Sequence, residues 1–193
     1  MKTLPKDFYE KDPALVAQKL LGKILARRLN NEILSGKIVE TEAYYGENDP
    51  ASKAYKGRKT FNQLMFSEAG KTFIYMVHAN WLLNIIAHPK GDVGAVLIRA
   101  IEPTQGVETM LENRNVKDLR DLTSGPGKLT KALAITKDLN GTNITKRDSE
   151  LAVFENKKEN FEVGSSHRIG VKKDLPQELR FFVKGNKFVS KLI

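Results

Sequence analysis

Residues 36–49 read GKIVETEAYYGEND, and the two carboxylates in this β-branched run constrain the fold more than any other feature. Side chains alternate between the two sides of a strand. Alternation puts Ile38, Glu40, Glu42 and Tyr44 on one face, and Val39, Thr41, Ala43 and Tyr45 on the other. A second run, VGAVLIRAI, has the complementary problem: Val93, Ala95, Leu97, Arg99 and Ile101 share a face. A charge among apolar neighbours is costly unless an opposite charge meets it. At least one of Glu40 and Glu42 is therefore expected to meet Arg99 across a sheet.

Two readings of that pair stand side by side. It is either a buried ion pair that only fixes strand register, or a catalytic pair. An arginine beside a carboxylate favours its ionised form, and an ionised carboxylate beside a cation can hold and deprotonate a water. Two carboxylates also suggest a sugar hydrolase with an acid and a base. On one strand, however, residues i and i+2 lie only about 6–7 Å apart along the chain, and both project from one strand instead of flanking a substrate.

The rest of the chain supplies elements around these strands. Asp12-Pro13 reads as an N-cap and first helical position, followed by ALVAQKLL with Gly22 as the stop. KILARRL is expected to be a strand, turning at Asn30-Asn31 into EILSGKIVETEAYY. Residues 46–60 read as a polar loop and 61–67 as a short helix. KTFIYMVHANWLLNIIA predicts a hairpin turning near Ala79-Asn80. Helices are expected over 103–113 and after SGPG, and short strands at LAVFE, HRIGV and LRFFV. The fold class is α+β, one compact domain over residues 1–193, with antiparallel strands dominating its middle.

At 193 residues the chain suits one ordinary domain. Its net charge of +9 points to a polyanionic partner, nucleic acid before an anionic membrane surface. No run approaches 18 apolar residues, so no membrane span is expected, and the polar N-terminus lacks the apolar core of a signal peptide. The expected location is the cytoplasm, associated with the nucleoid, or the nucleus, and not a secreted one. The absence of cysteine excludes disulfides and thiolate chemistry. His78, His88 and His167 show no metal-ligand spacing, so no metal site is expected. Tyr44, Tyr45, Phe73, Tyr75, His78 and Trp81 gather around the acid strand and the hairpin. They are either core or stacking platforms for bases. SGPGKLT lacks a true phosphate-loop pattern. Its expected role is a helix N-terminus whose N–H groups, with Lys128, touch a backbone phosphate.

KIVETEAYYGEND, AVLIRAIEP, LTSGPGKLTKALAI and HRIGV followed by LRFFVKGN occur in the order and rough spacing of one family. The sequence resembles the alkyladenine (3-methyladenine) DNA glycosylases of the mammalian alkyladenine type, from about Leu15 to Ser190. The resemblance implies a curved antiparallel sheet with flanking helices, and a β-hairpin that enters the DNA minor groove. It implies a pocket for a flipped nucleotide and cofactor-free, monofunctional hydrolysis of the N-glycosidic bond. The partner it implies is double-stranded DNA carrying a damaged purine, bound by a monomer. Residue by residue, Glu42 corresponds to the general base, Arg99 to the arginine holding the water, and Ile169 to the residue whose carbonyl completes the water's site. Tyr44 and Tyr75 correspond to the aromatics that sandwich the base. Asn84 corresponds to the asparagine that crowds the exocyclic amine of guanine. Glu40 is assigned a supporting hydrogen-bonding role.

Three positions depart from the family pattern. Lys53 stands where the family has a pocket histidine. His78 stands where the groove-inserting hairpin carries a tyrosine, with Asn80 and Trp81 as alternative inserting side chains. The hairpin is also about one residue shorter before Asn84. If Lys53 faces the pocket, its ammonium disfavours cationic lesions and favours neutral bases such as hypoxanthine; alternatively it swings out to a phosphate, or acts as a Schiff-base nucleophile. These departures keep open a second class of function, a non-catalytic damaged-DNA or RNA-binding module on the same scaffold.

Overall fold

In the computed structural model, which describes residues 2–157 and 159–190, one strand organises the rest. A short helix α1 (Lys6–Tyr9) leads into α2 (Pro13–Leu20), whose N-terminus is capped by Asp12 accepting from the Ala14 and Leu15 N–H groups at 2.8 and 3.1 Å. Strand β1 (Ile24–Leu29) turns at Asn30, in left-handed backbone, into the 13-residue β2 (Glu32–Tyr44). A 3₁₀ turn at Thr60–Phe66 precedes the hairpin of β3 (Thr72–Val77) and β4 (Asn80–Ile86). Then follow β5 (Ala95–Gln105), helices α3 (Val107–Arg114), α4 (Leu119–Leu122) and α5 (Pro126–Ala132), and strands β6 (Leu151–Phe154), β7 (Val163–Ser166) and β8 (Arg180–Val183).

Among the described residues eight strands form a single antiparallel sheet, six of them in the order β3-β4-β5-β2-β1-β6 and β8 pairing with both β2 and β7, and it curls into a half-barrel. β2 is long enough to serve two partners on one edge. Its first half pairs with β1, Glu40–Glu42 pair with β8, and β5 runs along the other edge. The sheet therefore has two buried faces over β2–β5. One carries the main core, including Leu25, Val39, Ile74, Leu83, Ile85, Val96 and Ile98, together with Val16, Leu20 and Leu129 from the helices. The other carries a smaller cluster of Ala54, Met65, Phe73, Ile86 and Ala95, roofed by the 46–66 segment.

Four local expectations change. Simple alternation along β2 breaks at a bulge: Ile38 opposes Ile101 and Glu40 opposes Ala100, so Val39 is the extra residue. Ile38 joins the main core beside Val39 and leaves the face of Glu40, Glu42 and Tyr44. The 103–113 helix starts late. Pro103–Gln105 extend β5 past β4, where a strand partner lies on one side only and proline is tolerated, and Gly106 in left-handed backbone (φ 71°) makes the turn into α3. HRIGV is a loop, and the neighbouring strand is Val163–Ser166. The hairpin turns one residue earlier than expected. Val77 and Asn80 close it, and His78 and Ala79 both have positive φ (46° and 59°), as a two-residue primed turn requires.

Gly127 shows why the SGPG segment needs its second glycine. A Cβ there would come within 2.8 Å of Asn80 Cβ, at the closing pair of the hairpin. The bare backbone lets the start of α5 lie against β4, where Thr130 Oγ1 donates to the Trp81 carbonyl at 2.7 Å. Gly127→Ala should force these elements apart and cost about 1–3 kcal/mol of stability, which urea unfolding of the two proteins would measure.

Candidate active site

Adjacent strands bring a row of side chains together on the second face of the sheet. Glu42 lies opposite Leu97, which lies opposite Asn84, which lies opposite Phe73. Two residues further along β5, Arg99 meets both acids: its Nε is 2.8 Å from Glu40 Oε1 and its Nη1 is 3.2 Å from Glu42 Oε1. Both carboxylates are fully buried and Arg99 is 6% exposed. Glu40 also accepts from Arg180 Nε at 2.8 Å, Ser190 Oγ at 2.8 Å and the Ser190 N–H at 2.6 Å. Burial opposes its ionisation, but the Arg99 charge, the Ser190 N–H and Arg180 outweigh it and hold the carboxyl below its usual value.

Glu42 is held differently. Oε1 accepts the Ile169 N–H at 2.7 Å beside the Arg99 guanidinium, and Oε2 accepts the Tyr44 hydroxyl at 2.7 Å. A carboxylate oxygen has two lone pairs, so Oε2 retains one for a further donor such as water. Burial, then the Glu42 charge, pushes the Tyr44 hydroxyl well above its ordinary value, so it stays a donor at neutral pH.

Beside this row opens a cleft of about 1040 Å³. Its lining includes Tyr44, Lys53, Tyr75, Arg99 and Ile169, with His78 and Lys128. Burial, followed by the Glu42 charge, pushes Tyr75 up to about 12. Lys53 faces the cleft with its Nζ 4.9 Å from the centre of the Tyr75 ring. Asn84 lies in the sheet, its Nδ2 donating to the Phe73 carbonyl at 3.1 Å, which fixes the amide's orientation. His78 is the exposed ring at the hairpin tip. Asn80 instead bonds the His78 carbonyl at 2.8 Å, and Trp81 packs on the main core. Lys128 is paired with the Asp121 carboxylate on α4. Among the described residues, no group of three or more His, Cys, Asp or Glu could hold a metal ion, and no helix is long and apolar enough to cross a membrane.

A family model described as methylpurine-DNA glycosylase matches residues 7–187. The chain belongs to the methylpurine-DNA glycosylase family. It is 40% identical over 192 residues to a protein of Aeropyrum pernix, covering 98% of this chain and 94% of that one. A protein of Chlorobium phaeobacteroides is 42% identical over 193 residues (99% and 98%), and one of Koribacter versatilis 40% over 191 (97% and 92%). All three carry the name "Putative 3-methyladenine DNA glycosylase". The chain is thus a DNA glycosylase, a hydrolase of N-glycosyl bonds, and these three relatives are archaeal and bacterial.

Two features of this glycosylase escaped the sequence reading. Lys172 and Lys173 line the cleft beside Ile169; their adjacency in a net-basic chain was the available signal. Arg168 lies fully buried behind Tyr44, its guanidinium 4.6 Å from the ring centre and bonded to Asp49 and Asp174. Nothing local marked it, because Asp49 and Ala43, two of its three partners, are over a hundred residues away.

Glu40 and Asp49 are both held below their ordinary values of 4.5 and 3.8; burial opposes the shift in each, and their arginines outweigh it. A carboxylate depressed in this way contributes stability that is present above its unfolded pKa and is lost as pH falls through the folded one. Melting temperature should therefore drop chiefly below pH 4.5. Glu40→Gln should melt lower at pH 7, by the equivalent of about 3–5 kcal/mol for a broken buried pair, and show a flatter decline in acid.

Proposed function

We propose that this glycosylase removes damaged purines flipped out of double-stranded DNA, using a water activated by Glu42, as the first step of base excision repair. The reading takes residues 1–193 as one catalytic domain acting as a monomer, on the plan of the alkyladenine type. Its substrates are alkylated purines, hypoxanthine and ethenoadenine. The observation that carries it is the setting of Glu42: a fully buried carboxylate, gripped on Oε1 by Arg99 and the Ile169 N–H and on Oε2 by the Tyr44 hydroxyl, three residues that all line the cleft.

In this mechanism the C1′–N bond breaks as a C1′–O bond forms to water, and the water's proton passes to Glu42. The carboxylate charge also stabilises the oxocarbenium character that builds on the sugar. Arg99 and the Ile169 carbonyl hold the water. Tyr44 and Tyr75 receive the base between them, and Asn84 crowds the exocyclic amine of normal guanine. His78, held out by the tight turn, fills the gap left in the duplex, and flipping costs least at a damaged or mispaired base. Lys128 reaches a backbone phosphate from the start of α5. Its partner Asp121 is half exposed, and such pairs contribute only about 0–1 kcal/mol, so a phosphate can replace it.

Lys53 sets the lesion preference. A cationic purine such as 7-methylguanine leaves as a neutral base without help, whereas hypoxanthine leaves with an electron pair that a nearby ammonium stabilises. The same ammonium repels a cationic base. Lys53 faces the cleft from the Tyr75 side, which supports this role over an outward swing to phosphate.

Base release from duplexes carrying one hypoxanthine or one 7-methylguanine tests both assignments. Glu42→Gln should bind the duplex and release no base; release at the wild-type rate would remove Glu42 as the base. Lys53→His should shift the preference toward 7-methylguanine, and an unchanged ratio would remove Lys53 from lesion choice.

A further inference from the structure

Two of the donors on Glu42 trace back to one residue that touches no substrate. We propose that Arg168 is a positioning residue for Glu42, fixing the group that binds each of its oxygens; this rests on the assignment of Glu42 as the base. The Ile169 N–H that binds Oε1 belongs to the next residue in the chain, and the Tyr44 hydroxyl that binds Oε2 is carried on the ring that the Arg168 guanidinium covers.

Arg168 has the rigidity for this task. Its Nη1 donates to Asp49 Oδ2 at 2.6 Å and to the Ala43 carbonyl at 3.0 Å, and its Nη2 to Asp49 Oδ1 at 2.8 Å and Asp174 Oδ1 at 2.5 Å. Its Nε donates to Asp174 Oδ1 at 2.8 Å. Those bonds use all five N–H donors of a guanidinium. The Arg168 N–H itself bonds Asp174 Oδ2 at 3.0 Å, so the backbone entering Ile169 is pinned as well.

The same inventory decides against other roles. With no donor left, a buried side chain and two carboxylates against its one charge, Arg168 cannot serve a DNA phosphate or the departing base. What remains is mechanical. It ties the 46–60 loop, the 167–175 loop and β2 at Ala43, next to Glu42, and it covers one face of Tyr44. A flipped base therefore meets only the other face of that ring. A lysine has three donors and no plane, so it can neither bridge Asp49 and Asp174 in this way nor lie flat on Tyr44.

The test is single-turnover base release, with enzyme in excess, on whichever of the hypoxanthine and 7-methylguanine duplexes the wild type cleaves faster. Duplex affinity and melting temperature are measured alongside. Arg168→Lys and Tyr44→Phe should each slow release about 10- to 100-fold, the loss expected when a reacting group is misplaced by up to an ångström, with affinity unchanged. The double variant should lose less than the two single losses combined, because both changes disturb the Tyr44 contact to Oε2. Release at the wild-type rate by folded Arg168→Lys with a lowered melting temperature, or additive losses in the double variant, would overturn the proposal. Should Arg168→Lys not fold, Asp174→Asn, at a side chain 17% exposed, carries the same expectation and the same refutation. Glu42→Gln separates the two readings: if it is inactive while the Arg168 and Asp174 variants are not, only the positioning role fails.

Discussion

A carboxylate and a guanidinium cannot be buried apart. Moving either from water into a protein interior costs several kcal/mol, and removing one partner of a buried pair leaves the other uncompensated. Glu40, with Arg99 from β5, Arg180 from β8 and Ser190 near the C-terminus, forms one such set at the centre of the sheet. The set forms only when β2, β5 and β8 are all in register. A one-residue slip of β2 would turn both acids into the main core. Ion pairing thus secures the register that the apolar pattern of β2, buried on both faces at this point, specifies less sharply.

With the register set, the two faces of the sheet divide the work. The face toward α2, α3 and α5 holds the main core, which gives the half-barrel its stability. The opposite face carries a small apolar cluster and then the cleft, so Glu42, Tyr44, Tyr75 and Arg99 stand on strands. Rigid elements hold catalytic geometry within tenths of an ångström more readily than loops do. The loops that complete the site, 46–60 and 167–175, gain comparable rigidity through Arg168, which joins them by buried charge-assisted bonds.

The electrostatics of the cleft follow from the same arrangement. Glu40 and Glu42 meet two guanidiniums, Arg99 and Arg180, so their charge is compensated by protein, whereas Arg168 is outnumbered by its two acids, Asp49 and Asp174. Lys53 has no carboxylate partner among the described residues and meets only the Tyr75 ring. With Lys172 and Lys173 it makes the cleft lining basic, which suits a polyanion.

Much of this was legible in the chain. Asp12-Pro13 announced α2, because capping and proline preference act within a few residues. The pairing of Glu40 and Glu42 with Arg99 followed from alternation and the cost of buried charge. The motif set named the family. Other features needed the tertiary structure. The bulge at Val39 arises from the mismatch between β2 and β5, and the continuation of β5 through Pro103 depends on where β4 ends; neither is a property of the local segment. Which face of Tyr44 is open depends on Arg168, whose guanidinium arrives from the far end of the chain. The sequence by itself determined which residue types had to meet, since desolvation energy and side-chain period are local. Only the folded chain decided where the donors on Glu42 came from, because contacts between distant residues exist only once the sheet has closed.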